Sequence, residues 1–371
     1  MHSRLFFLLL HENNRIMKRE SNFEVLRTLA MFFVVVYHCL THGVGGEYGF
    51  STVRAVSLSN LLFSDFMLVF SSIAVNLYVM ISGYFLVSLD FKLSRIVRTW
   101  VITCFYMVII TFLFIFLGLK PFSIMTIGKS FFPLSTDAYW FVTQYIGLLI
   151  LSPFLSIMLG KLTYKQYVGL LIGGAFICLS IIPDFPLGKR FHVAHGNSLF
   201  SFTYLFVVAG FIRYHLRQLS MKKLVIIISF VVLITFVYEL YIGSHYNISY
   251  LIWFDYNGFP FILSVLVFIL VKQSIIPDNR LCNVLVQLAP YTFGVYLIHD
   301  HLFVREWLWS VFPLTAQCEK WIYPLIIIGI CLLIFLSCSL IEAIRKIIFK
   351  ISKLDSYIAR IDNWQFTRIR K

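Results

Sequence analysis

The chain has 371 residues, of which 60% are hydrophobic and 13% charged, with a mean hydropathy of +0.86 and a formal net charge of +14. Water-soluble domains are about 45–50% apolar and about 25% charged, so this chain cannot hide its apolar surface from water, and its solvent is largely lipid. The positive charge is dispersed in short segments between apolar runs rather than gathered into a groove, which excludes a nucleic-acid partner.

Residues 1–16, MHSRLFFLLLHENNRI, hold an apolar run too short for a bilayer span or a signal-peptide core. Met17, Lys18 and Arg19 follow directly. Translation is therefore expected to start at Met17, with 1–16 a non-essential extension, 17–348 the membrane domain and 349–371 a basic amphipathic tail on the inner leaflet.

About 20 apolar residues cross a bilayer. Runs of that kind are expected as spans at 25–43, 66–88, 97–118, 139–159, 167–182, 199–215, 224–242, 257–272, 290–309 and 322–345. An even number places both termini on one side. With the N-terminus inside, the inside segments carry 24 of the 31 lysines and arginines, as the positive-inside rule requires. The expected fold is an all-α, polytopic integral membrane protein of about ten transmembrane helices, both termini cytoplasmic. No Walker A or GxGxxG pattern interrupts it. Of the seven cysteines, Cys39, Cys104, Cys178, Cys331 and Cys338 lie in apolar runs and read as packing residues.

The first span, LRTLAMFFVVVYH, begins beside Arg27 and carries His38. Eleven residues of α-helix turn through about 1100°, some 20° past three full turns, and rise about 16 Å. The two side chains therefore share a face. Arg27 falls at the cytoplasmic boundary and His38 well inside the membrane, where an ionisable group normally faces a cavity or the bundle interior. Taken singly, Arg27 reads as an interfacial anchor paired with Glu24, and His38 as a hydrogen-bonded core histidine. Neither reading explains the spacing.

That spacing resembles the signature of the acyltransferase-three membrane family. Further matches follow in order: NLYVMISGYFL (76–86) around Ser82-Gly83-Tyr84, RIVR (95–98), YWFVTQYIGLLILSPFL (139–155) and FGVYLIHDHLFVR (293–305). The resemblance runs from Ser21 to about Leu340. It implies a bacterial inner-membrane enzyme that O-acylates surface polysaccharides or their lipid-linked precursors, with acetyl-CoA as donor co-substrate. Some members add an extracytoplasmic hydrolase-like domain, for which this sequence has no room.

On that reading Arg95 and Arg98, one helical turn apart, could clamp donor phosphates or could be plain topogenic charge, and Arg27 could add a third contact. His38 suits acyl transfer either as general base for a sugar hydroxyl or as a transient acyl acceptor, and the sequence leaves both routes open. His299 and Asp300, from the HDH run at 299–301, could hold the acceptor or form an interhelical network. Tyr139 and Trp140 could stack on a sugar ring or belong to an interfacial aromatic belt. His38 and His42 stand one turn apart, but with no third ligand in view no metal is expected. The rival reading is a flippase or polymerisation protein of the same polysaccharide pathway, which would need no coenzyme A.

Overall fold

The computed structural model describes residues 21–44, 53, 56–136, 138–178, 196–246, 249, 251 and 258–369. The expectation for residues 1–16 lies outside these. Among the described residues the chain is helical, without a strand. In chain order the helices are α1 (Ser21–Gly43), α2 (Leu58–Ser71), α3 (Ala74–Leu86), α4 (Leu93–Phe116), α5 (Ile124–Ser130), α6 (Trp140–Lys161) and α7 (Tyr164–Cys178). The second half holds α8 (Leu199–Tyr214), α9 (Met221–Tyr246), α10 (Phe259–Gln273), α11 (Arg280–Leu288), α12 (Thr292–His299), α13 (Leu302–Val311), α14 (Tyr323–Ile351) and α15 (Leu354–Ile369). Seven helical stretches among the described residues are long and apolar enough to cross a membrane: α1, α2–α3 together, α4, α6, α9, α11–α12 together, and α14. The apolar helices α8 and α10 are shorter, as is α7.

Local chemistry sets the boundaries. Ser57 caps α2 and Ser198 caps α8 by accepting from the third residue on, and Asn279 Oδ1 accepts from Cys282 N at 2.9 Å to start α11. A single expected span becomes α2 and α3 because the helix breaks after Ser71, where Ser72 returns its hydroxyl to Val69 O.

Two helices line the interior. In α1, Val35, Val36, Cys39 and Leu40 are fully enclosed, and α8 buries Phe202, Phe206 and Ala209. Gly83 lets α3 lie against α8, since a Cβ there would stand 3.0 Å from Phe206 Cα. The outer helices expose the apolar faces that lipid requires: Ile226, Phe230, Leu233 and Val237 on α9, and Leu325, Leu333 and Leu340 on α14. The Arg27 end of α1 is pinned by side chains. Asn22 Nδ2 donates to Val271 O at 3.1 Å and also to Ser274 O, and Thr28 Oγ1 donates to Leu285 O at 2.7 Å.

The expected span 290–309 is corrected. The helix begins at Arg280, passes through a 3-10 turn at Ala289–Tyr291, and stops at His299. Asp300 and His301 form a break, and α13 starts beyond it with His301 Nδ1 accepting from Phe303 N. The polar run therefore sits at a helix end, not in the middle of a span.

Candidate functional site

His38 is the last regular α-helical residue of α1, and Cys39–Gly43 continue as a π-helix, closed by Val44 N donating to Cys39 O at 3.1 Å. Such widened turns inside helices recur at functional positions. The turn seats Gly43 against α13, where a Cβ would meet the Trp309 ring at 2.7 Å. His38 faces the end of α12. Its Nδ1 lies 2.9 Å from His299 Nε2 and 3.6 Å from Asp300 Oδ1. His299 Nδ1 in turn lies 2.6 Å from Val295 O. All three side chains are buried, His38 with 9% and His299 with 1% of its surface exposed. Arg305 on α13 holds Asp300 Oδ1 at 3.4 Å, which compensates the buried carboxylate. His42 is exposed, its ring 5.4 Å from that of His38.

The structure thus brings together His38, His299 and Asp300, which are 261 and 262 residues apart in sequence. It adds two residues that the sequence reading did not single out for the site. His42 had been paired with His38 only as a loose metal spacing. Arg305 follows Asp300 by five residues, at the end of the FGVYLIHDHLFVR stretch.

The break at Asp300–His301 explains how three consecutive polar residues are shared out. His299 and Asp300 turn towards His38, while His301 caps α13. With Asp300 present, His38, His42 and Asp300 offer three ligand atoms within 4.8 Å of one another, so a third potential ligand does exist. Zinc ligands stand about 2.0–2.2 Å from the ion. As arranged here, two of the three donors already serve hydrogen bonds, His38 to His299 and Asp300 to Arg305.

Other expected site residues lie elsewhere. Arg27 is about three turns from His38 along α1, and its Nη1 binds both oxygens of Glu24 at 2.7 and 2.8 Å. Its ion-pair partner is Glu24 on its own helix, not a member of the histidine cluster. Tyr139 is enclosed in the core, with its hydroxyl donated to Leu297 O at 2.7 Å and its ring against Tyr296 and His301. It satisfies a carbonyl left open at the C-terminal end of α12 and has no free face for a sugar. Trp140 is half-buried, edge-on to Phe141 and Phe202.

Side-chain hydroxyls on α3, α6 and α12 are hydrogen-bonded within the bundle. Tyr78 donates to Thr292 Oγ1 at 2.6 Å, Thr292 donates to Ala289 O, and Tyr145 donates to Ser82 at 3.2 Å.

Arg95 and Arg98 stand at the start of α4, beneath the C-terminal helix. Arg95 Nη1 donates to Asp90 O at 2.8 Å, and Arg98 Nη2 lies 3.5 Å from Asp355 Oδ1. Asp362 accepts from Ser94 N at 2.9 Å and from Ser94 Oγ at 2.6 Å, at the positive end of the helix. Burial pushes the Asp362 carboxyl up, but the two Ser94 hydrogen bonds outweigh it and hold its pKa below the usual range. Farther into the bundle, Tyr106 donates to Glu342 Oε2 at 2.5 Å, and Arg345 binds both oxygens of Glu342 at 2.6 and 2.8 Å.

A bundle of membrane-length helices that encloses an imidazole pair beside a carboxylate is the framework of a multi-pass membrane protein with an ionisable cluster in its interior. Residues 20–343 match a family model described as an acyltransferase domain, and the chain belongs to that acyltransferase-three family. Comparison with curated proteins and with solved structures gives no match. The family carries acyl transfer by a multi-pass membrane protein as the class of activity.

Proposed function

We propose that the protein is an O-acyltransferase of the bacterial inner membrane that moves an acetyl group from acetyl-CoA to a hydroxyl of a surface glycan or its lipid-linked precursor, with His38 as the general base. The observation that carries this is the placement of His38, a buried basic side chain on a membrane-length helix and in contact with a second buried histidine. In a chain of acyltransferase membership, a buried base of this kind is what hydroxyl acylation needs.

The distribution of lysine and arginine supports cytoplasmic termini and about ten crossings. In that orientation Arg27, Arg95 and Arg98 lie on the side where acetyl-CoA is made, and His38 lies about half a bilayer away. The planar guanidinium groups of Arg95 and Arg98 suit the phosphates of the donor. The hydroxyls of Tyr78, Thr292 and Tyr145 are polar groups that an extended thioester arm could use. Arg305 and His42 sit at the other end of the cluster, where the acceptor arrives.

Mass analysis of the host's surface polysaccharide, with and without the gene, tests the reading. A loss of one acetyl unit per repeat on deletion supports it. An unchanged polysaccharide mass, with the protein shown to be expressed in the parent, refutes it. The flippase alternative predicts loss of the polymer itself from the surface, with its acetylation unaltered.

A further inference from the structure

We infer that His299 is a positioning residue that keeps the His38 proton on Nδ1 and leaves Nε2 as the reacting nitrogen. This rests on the reading of His38 as the base. The argument starts from Val295 O, which can only accept a hydrogen bond. His299 Nδ1, 2.6 Å away, must therefore carry a hydrogen. The hydrogen-bond partners of His299 are a carbonyl oxygen and an imidazole, and the adjacent Asp300 carboxylate is already paired with Arg305. A second proton would place a charge at a site with 1% exposure that no hydrogen-bond partner neutralises. His299 is then neutral, and its Nε2 is an acceptor. The only hydrogen available for the 2.9 Å contact is the one on His38 Nδ1, so the lone pair of His38 lies on Nε2. The partner of one ring nitrogen thus decides what the other can do.

The same arrangement favours direct transfer over an acyl-histidine. In direct transfer, Nε2 takes the hydroxyl proton as the hydroxyl oxygen attacks the thioester carbonyl carbon. The carbon–sulfur bond breaks, sulfur leaves with the electron pair, and Nε2–H returns the proton to it. An ester and a thiol result, and His38 ends as it began. During the reaction the imidazolium keeps its Nδ1–H on His299 and has the Asp300 carboxylate 3.6 Å away. His299 accepts a hydrogen bond throughout and never changes its protonation. An acyl group on Nε2, by contrast, gives a neutral acyl-imidazole only if Nδ1 loses its proton, to His299 at 2.9 Å or to Asp300 at 3.6 Å.

Glutamine and leucine at 299 separate these roles. The glutamine amide oxygen can accept from His38 Nδ1 but cannot take a proton, whereas leucine can do neither. In purified full-length protein, His299→Gln should keep kcat within about tenfold of wild type. His299→Leu should lose about 10²–10⁴-fold in kcat, the share that general-base catalysis supplies, with the KM for acetyl-CoA unmoved.

Equal loss in both variants overturns the inference in favour of proton uptake by His299, and wild-type activity in His299→Leu overturns the positioning role. Should His299→Leu fail to assemble, a ¹⁵N-histidine spectrum of wild type, assigned against His38→Ala, decides alone. A pyridine-like Nε2 and a pyrrole-like Nδ1 at His38 are expected, and the reverse assignment refutes the inference. If wild type cleaves no thioester, or His38→Ala matches it, the parent reading fails instead.

Discussion

Inserting one alanine after Phe33 tests whether the two ends of α1 must stay in register. The inner half of the helix is pinned by Asn22 and Thr28 to Val271, Ser274 and Leu285, so the outer half must absorb the change. It turns by about 100° and advances about 1.5 Å. On a Cα radius of about 2.3 Å, a 100° turn moves a backbone atom sideways by about 3.5 Å. The 2.9 Å contact between His38 and His299 cannot survive a shift larger than itself. Activity should fall about 10²–10⁴-fold, the contribution of a positioned base.

Residues 34–36 are three consecutive valines, which provides a matched control. Adding the alanine and deleting one valine restores the register and yields simply Val34→Ala. The assay is acetyl transfer from labelled acetyl-CoA by equal amounts of membrane-inserted protein, with insertion checked by detergent extraction and size exclusion. The insertion variant should be inactive and Val34→Ala nearly normal. Equal activity in the two refutes the reasoning.

Four further outcomes follow. The double change of Arg95 and Arg98 to lysine keeps charge and topology but removes the planar fork. It should raise the KM for acetyl-CoA several-fold without moving that for the acceptor, and an unmoved donor KM makes these residues purely topogenic. Asp355→Asn with Asp362→Asn should release α15 from Arg98 and Ser94 and lower the donor KM, as measured by the same kinetics. Because docking depresses the Asp362 pKa, the docked α15 is fully stabilised above about pH 4 and is lost as pH falls through the lowered value. Cross-linking of cysteines placed on α4 and α15 should show that loss. Gly294→Ala would set a Cβ 2.4 Å from Glu342 Oε2, displacing the carboxylate from Tyr106 and Arg345. A destabilisation of about 1–3 kcal/mol from overpacking, rising towards about 3–5 kcal/mol if the buried pair breaks, should appear as a lower thermal midpoint in detergent.

Much of the helix inventory was legible because apolar run length is a direct readout of the lipid solvent. The burial of His38 agrees with the expectation that an ionisable group in an apolar helix faces the bundle interior. The ninth run was misplaced for a physical reason. Pro290 reads as a helix start, whereas here it lies in a 3-10 turn inside a longer helix, and the polar residues Arg280, Asn283 and Gln287 of α11 hide that helix's true start. Once the start moves back, the end falls at His299 and HDH becomes a helix terminus.

The sequence offers Tyr139 as a sugar-stacking or aromatic-belt residue because an aromatic at the start of a span usually meets the interface, whereas the structure encloses it. Its hydroxyl partner, Leu297 O, is 158 residues away and leaves no local trace. The Tyr106–Glu342–Arg345 group is hidden in the same way, since Tyr106 and Glu342 are 236 residues apart. A glutamate three residues before an arginine, within an apolar run, was the signal available.

Acetyl transfer by purified full-length protein in lipid nanodiscs, with labelled acetyl-CoA and glycan acceptor from the host, tests the central claim most directly when wild type is compared with His38→Ala. Wild type should release coenzyme A thiol and place the label on a hydroxyl. His38→Ala, inserted at the same level, should do so about 10²–10⁴-fold more slowly. Equal transfer by the two proteins, or no thioester cleavage by wild type, would contradict the account.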